Sequence, residues 1–128
     1  MKKTNMHENK MILFVDDEAV VLAVGSMLIE RLGYQVIKVG DALEAVKIYH
    51  DRANEIQLVI LDIVMPNMNG GKVFDEIRKI NPNAKVLLAS GYSIEGEARS
   101  ILERGGNGFI QKPFSMAELS AKILEIMD

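Results

Sequence analysis

Along this chain, short apolar runs alternate with longer stretches in which apolar side chains recur every three or four residues. The runs are Met11 to Val15, Gln35 to Val39, Leu58 to Leu61, Lys85 to Ala89 and Gly108 to Ile110. Several are apolar almost throughout, a pattern suited to strands covered on both faces. The intervening stretches predict helices over Glu18 to Leu32, Asp41 to Arg52, Gly71 to Ile80, Ile94 to Arg104 and Ser115 to Met127. Strand and helix in strict alternation predict an α/β fold, a doubly wound five-stranded parallel sheet with five helices.

Local signals support these boundaries. The first helix places Val21, Val24, Leu28 and Leu32 on one face and stops at Gly33, which tolerates a left-handed cap. Asp41 with Glu44, and Ser115 with Glu118, have the spacing of a capping box. Pro82 ends the third helix. Gly96 weakens the fourth, which is also poor in apolar positions. The five units use residues 11–128 as one domain and leave residues 1–10 as a polar tail. The lysines of that tail are not followed by an apolar segment of signal-peptide length. No stretch approaches the ~18 apolar residues of a spanning helix, so no membrane insertion is expected.

Composition narrows the function classes. Of 128 residues, 48% are apolar and 26% charged, values of an ordinary globular domain and not of a disordered chain. The formal charge is −3, so no basic excess draws the chain to nucleic acid. Without cysteine, disulfides, thiolate nucleophiles and Cys-based zinc sites are excluded. These features read as a cytoplasmic protein.

In open parallel sheets, functional groups gather at the carboxyl ends of the strands. Here the first strand runs into Asp16-Asp17-Glu18, the third into Asp62, the fourth into Ser90-Gly91 and the fifth into Gln111-Lys112-Pro113. Carboxylates converging from two loops repel unless a cation lies between them. All-oxygen ligation with water completing the shell suits Mg²⁺. Asp16 and Asp17, adjacent on a turn, are the candidate metal pair. Asp62, alone at a central strand end, is the candidate nucleophile toward phosphorus, since a carboxylate attacking phosphorus forms an acyl phosphate. Lys112 and Ser90 would neutralise and bond the phosphoryl oxygens. Asp16, Asp17, Asp62 and Lys112 together carry −2 of the total of −3. Most of the charge imbalance therefore falls on this one rim.

The runs FVDDE, VILDIVMPNMNG, VLLASGYS and FIQKPF, in this order and spacing, resemble the response-regulator receiver domains of two-component signalling, from Met11 onward. The resemblance implies a flavodoxin-like (β/α)5 fold and a phosphorelay function. Asp62 would be the phosphoacceptor and a Mg²⁺ ligand, Asp17 a direct ligand and Asp16 a ligand mainly through water. The backbone carbonyl of Val64 would complete the protein's share of the shell. Lys112 would pair with the phosphoryl group, Ser90 would move to bond it, and the Lys112–Pro113 bond would be cis. Phe109 would be the aromatic switch coupling the site to the fourth-helix and fifth-strand surface. The implied partners are a histidine kinase or histidine phosphotransfer domain and a downstream protein target, with the chain a monomer or weak dimer. Beyond its own phosphorylation and dephosphorylation it would turn over no substrate, so it is not read as an enzyme. The motifs LLASGYS and GFIQKPF look like those of receivers in hybrid histidine kinases, leaving open a stand-alone regulator or part of a larger protein. The family's hydrolysis-tuning positions fall on Val64 and Tyr92, neither an acid nor an amide, which implies a long-lived phosphoaspartate.

Other readings compete. The acidic triplet could merely cap the first helix. Asp62 could be a turn acid before Pro66, with Asn67, Asn69 and Gly70 supplying turn chemistry. Phe109 could be plain core. His50 reads as a surface residue at a helix carboxyl end, and His7 lies in the tail, so neither is a phosphodonor. A phosphatase of the haloacid dehalogenase type would want an acid where Val64 stands. A flavodoxin-like cofactor binder would want a phosphate-cradling loop where the acids of the first strand stand. The first helix also carries Val20, Leu22, Ala23 and Met27 beyond its stripe, which reads either as broad core contact or as a docking surface for the donor's helices.

Overall fold

The computed structural model describes residues 10–65, 70–91, 94 and 96–127. The residues 1–9 of the expected tail with His7, the turn residues Pro66, Asn67 and Asn69, and Tyr92 lie outside the described residues. The elements alternate as β1 (Met11–Val15), α1 (Ala19–Arg31), β2 (Gln35–Val39), α2 (Ala42–Arg52), β3 (Ile56–Asp62), α3 (Gly70–Ile80), β4 (Val86–Ser90), α4 (Glu97–Glu103), β5 (Gly108–Gln111) and α5 (Met116–Met127). The sheet is parallel throughout, in the order β2-β1-β3-β4-β5. This is the (β/α)5 topology of the flavodoxin-like receiver fold.

Strand side chains divide between two cores. Leu13, Val15, Val59, Leu61, Val86 and Leu88 face α2, α3 and α4 with Ala45, Tyr49, Val73, Phe74, Ile77 and Ile101. Their neighbours Ile12, Phe14, Leu58, Ile60, Leu87 and Ala89 face α1 and α5 with Ile29, Leu119 and Ile123. Coverage on both faces explains the near-continuous apolar runs of β1, β3 and β4.

The caps behave as their spacing predicts. Glu44 N–H donates to Asp41 Oδ2 at 2.9 Å. At α5 the box closes both ways, Glu118 N–H to Ser115 Oγ at 3.1 Å and Ser115 N–H to Glu118 Oε1 at 2.8 Å. Gly33 takes φ 102° after α1.

Two helices differ from expectation. In α1 the buried residues are Gly25, Ser26 and Ile29, while Val24 is 51% exposed. The helix lies so close to the sheet that a Cβ on Gly25 would stand 2.5 Å from the Phe14 ring. Small residues face inward there, while Val21, Leu28 and Leu32 of the apolar stripe pack half-buried against the same core and only Val24 of the four is exposed. Helix α4 starts at Glu97 and not Ile94, because Gly96 at φ 59° turns the chain out of helical geometry. Strands β1 and β2 match their expected runs, and no other end shifts by more than two residues.

Candidate functional site

Register brings the site together. Val15 pairs with Leu61, so the residues that follow, Asp16 and Asp62, emerge side by side. They stand where β1 lies between β2 and β3, the point at which strand order reverses and a crevice opens. On the other side Asp62 pairs with Ala89, and Ser90 with Gln111. Lys112 follows, its N–H bonded to the Ser90 carbonyl at 2.8 Å. The Lys112–Pro113 peptide is cis.

Asp16, Asp17 and Asp62 each offer a carboxylate oxygen within 4.8 Å of the others. Asp16 and Asp62 are buried, and Asp17 is exposed. Lys112 Nζ reaches Asp16 Oδ2 at 2.8 Å, Glu18 Oε1 at 3.3 Å and Asp62 Oδ2 at 3.5 Å. Asp62 Oδ1 accepts from Val64 N–H at 3.1 Å, and Asp16 Oδ1 from Glu18 N–H at 2.9 Å. Glu18 stands at the N-cap of α1 without a side-chain cap bond. The triplet is therefore committed to the crevice, not to capping α1.

Electrostatics follow from this crowding. Burial pushes the Asp62 carboxyl up to about 6; the Val64 N–H opposes the shift, Asp16 adds to it, Lys112 opposes it and Asp17 adds to it. Burial acts to lower Lys112, but its bond to Asp16 and the charges of Asp62 and Asp16 outweigh burial and hold the ammonium above its usual range. Four carboxylates, counting Glu18, face one ammonium. Hard oxygen donors with uncompensated negative charge suit a divalent cation, and Asp16, Asp17 and Asp62 are the residues that would hold it.

The other expected residues fall around this centre. Ser90 is buried at the end of β4. Val64 is 53% exposed beside Asp62. Phe109, half-buried on β5, packs against the core beneath α3 and α4. His50 is exposed and pairs with Asp51 at 3.3 Å. A groove of about 740 Å³ runs from Asp17, Glu18, Asp62 and Lys112 along α1 to Pro113 and Phe114. Val20 and Met27 are exposed on α1, whereas Leu22 packs partly into the core beneath α1 and α5. Leu22 is thus not part of an open α1 surface. The Glu18–Lys112 contact and the Phe114 wall were not anticipated from the sequence. The run of three acids was the available signal for the first, and nothing local marks the second.

The profile of the response regulator receiver domain family matches residues 12–124. The chain belongs to this family. It is 32% identical over 127 residues to the sensor kinase CckA of Brucella abortus, covering 99% of this chain and 13% of that protein. The chain spans 47–49% of several curated transcriptional regulators that it matches. Among solved structures, a receiver domain protein from Clostridium thermocellum superposes with TM-score 0.88 at 29% identity, covering 92% of this chain and 94% of that one. The CheX-CheY-BeF3-Mg²⁺ complex from Borrelia burgdorferi does so with TM-score 0.87 at 28% identity, covering 92% and 89%. The receiver family accounts for the acidic cluster as the phosphorelay type of site, and neither the phosphatase nor the flavodoxin-like binder is favoured. Receivers are phosphoacceptor modules that turn over no external substrate. Among the described residues, no helix of this receiver is long and apolar enough to cross a membrane.

Proposed function

We propose that this receiver accepts a phosphoryl group on Asp62 from a phosphohistidine and relays it as a change of surface. The observation that carries the reading is the placement of Asp62, 3% exposed, within reach of two further carboxylates and 3.5 Å from the Lys112 ammonium. An Asp62 oxygen attacks phosphorus while the donor's P–N bond breaks and its electron pair stays on the imidazole. Lys112 donates to a phosphoryl oxygen, for which its present carboxylate partners hold it charged and in place. Ser90 supplies its hydroxyl from the end of the adjacent strand. Asp17, Asp62 and the Val64 carbonyl, with Asp16 mainly through water, would hold a Mg²⁺ ion, which would supply neutralisation of charge on the phosphoryl oxygens, a choice of metal supported by the Mg²⁺ named in the Borrelia complex.

Phe109, paired with Leu88 one strand from the site, is the proposed switch. It has no phenolic oxygen, so burial alone biases its two positions. The donor is a histidine kinase or phosphotransfer domain, a reading supported by the likeness to the sensor kinase CckA. Its helices would dock beside Asp62 against Val20, Val24 and Met27 of α1. A cytoplasmic receiver, monomeric or weakly dimeric, acting on a protein target fits these features. Residues 11–128 form the functional unit, either alone or within a hybrid kinase.

Intact mass after incubation with acetyl phosphate and Mg²⁺ tests the central claim. Wild type should gain one phosphoryl group and Asp62→Ala none; no gain on wild type would remove the proposal. Followed after the donor is withdrawn, the same signal reads the lifetime of the acyl phosphate. Val64 has no group to orient water, so decay should take well over a minute and speed up severalfold in Val64→Asn.

A further inference from the structure

Asp62 and Lys112 line a groove through which a donor can reach the Asp62 carboxylate. Its two ends differ in chemistry. One end holds Asp17, Glu18, Asp62 and Lys112, and the other is walled by Val20, Val21, Val24, Leu28, Pro113 and Phe114. Gly25 lies in its floor, packed directly on the buried Phe14 ring. The groove as a whole measures about 740 Å³, several times the volume of a phenyl ring.

We infer that this apolar trough is a leaving-group subsite, selecting phosphodonors whose leaving group is apolar or aromatic over small polar ones such as acetyl phosphate. The inference rests on Asp62 as phosphoacceptor. The occupant follows from continuity: a donor with its phosphorus at Asp62 has its leaving group within the same groove, against valine, leucine and phenylalanine. Acetate is too small to cover those walls. An aromatic acyl group removes them from water, and the hydrophobic gain is made before and during transfer. For benzoyl phosphate the step balances: an Asp62 oxygen bonds to phosphorus, the bridging P–O bond breaks, and benzoate leaves with the electron pair. One acyl phosphate replaces another, and no further reactant is required.

The test compares benzoyl phosphate with acetyl phosphate on the full chain in Mg²⁺, following phosphorylation of Asp62 by intact mass across donor concentration. The half-saturating concentration should be fivefold to tenfold lower for benzoyl phosphate. In Val24→Asn and Val21→Asn that ratio should fall toward one, and in Leu43→Asn, on exposed α2 surface, it should stay at the wild-type value. A phosphonate analogue of benzoyl phosphate, which cannot transfer, should shift the amide resonances of Val21, Val24, Gly25 and Phe114. Equal half-saturation for the two donors, or a ratio that survives both valine substitutions, overturns the subsite while leaving Asp62 as phosphoacceptor. Failure of both donors to label Asp62 overturns the phosphoacceptor reading and the subsite with it.

Discussion

Asp62 combines burial, neighbouring negative charge and one ammonium 3.5 Å away, and the balance of these falls against its ionised form. Burial holds its carboxyl at about 6 in the folded protein against an ordinary value of 3.8. The folded state therefore holds this proton more tightly than the unfolded chain does. The resulting stabilisation is fully present below about pH 4 and is lost as pH rises through 6. At pH 7 the metal-free protein carries the ionised Asp62 at a cost of at most about 3 kcal/mol, which solvent screening at the rim reduces. Asp62→Asn keeps the shape and removes the charge, so it should unfold at higher urea concentration than wild type at pH 7, with the difference closing by pH 4. A difference that is constant across this range would mean that the Asp62 charge is not what strains the site.

At the scale of elements, α1 separates what apolar pattern shows from what close approach requires. Gly25→Ala would gain helix propensity of about 1 kcal/mol, yet its methyl would meet Phe14 Cε2 and Cζ at 2.5 and 2.7 Å. Phe14 is 1% exposed and has no room to withdraw, so overpacking of about 1–3 kcal/mol should prevail. Urea unfolding should show a lower midpoint with unchanged slope; a more stable variant would place α1 farther from the sheet. The same helix shows where sequence reading runs out. The run Met11–Val15 matched its strand residue for residue, because a strand covered by helices is legible from apolar run length; Gln35–Val39 matched as well, although this edge strand exposes Gln35 and Lys38. The buried face of α1 was legible only in part: Val21, Leu28 and Leu32 pack against the core as their spacing suggests, but Gly25 and Ser26 carry no apolar signal, and the need for glycine at 25 depends on Phe14 across the interface. Asp16, Asp17, Asp62 and Lys112 were legible as a group because strand ends converge by topology. Glu18 as a partner of Lys112 depends on where a side chain swings, and spacing does not encode that.

Across the whole molecule the formal charge of −3 is small, but its placement is uneven. Three carboxylates gather within 4.8 Å at one end of the sheet, while ion pairs such as Arg52–Glu55 and Lys79–Glu76 pair acids with bases elsewhere on the surface. A divalent cation at that rim binds the folded state and finds no preformed site in the unfolded chain, so its binding free energy adds to stability by mass action. At a Mg²⁺ concentration ten times the dissociation constant the gain is about 1.4 kcal/mol, which raises the midpoint of a domain this size by roughly 3–6 °C. Asp17 is exposed and makes little contact with the core, so Asp17→Asn should fold normally and lose most of this shift. Sodium chloride at matched ionic strength separates site binding from screening, because it weakens exposed interactions without occupying the cluster. The Mg²⁺ shift should also be larger at pH 7 than at pH 5, since below about 6 a proton competes for Asp62. Thermal unfolding of both proteins at the two pH values, with each salt, makes the comparison. Equal Mg²⁺ shifts in wild type and Asp17→Asn would mean that the cation is held elsewhere and that the rim's charge serves some purpose other than metal binding.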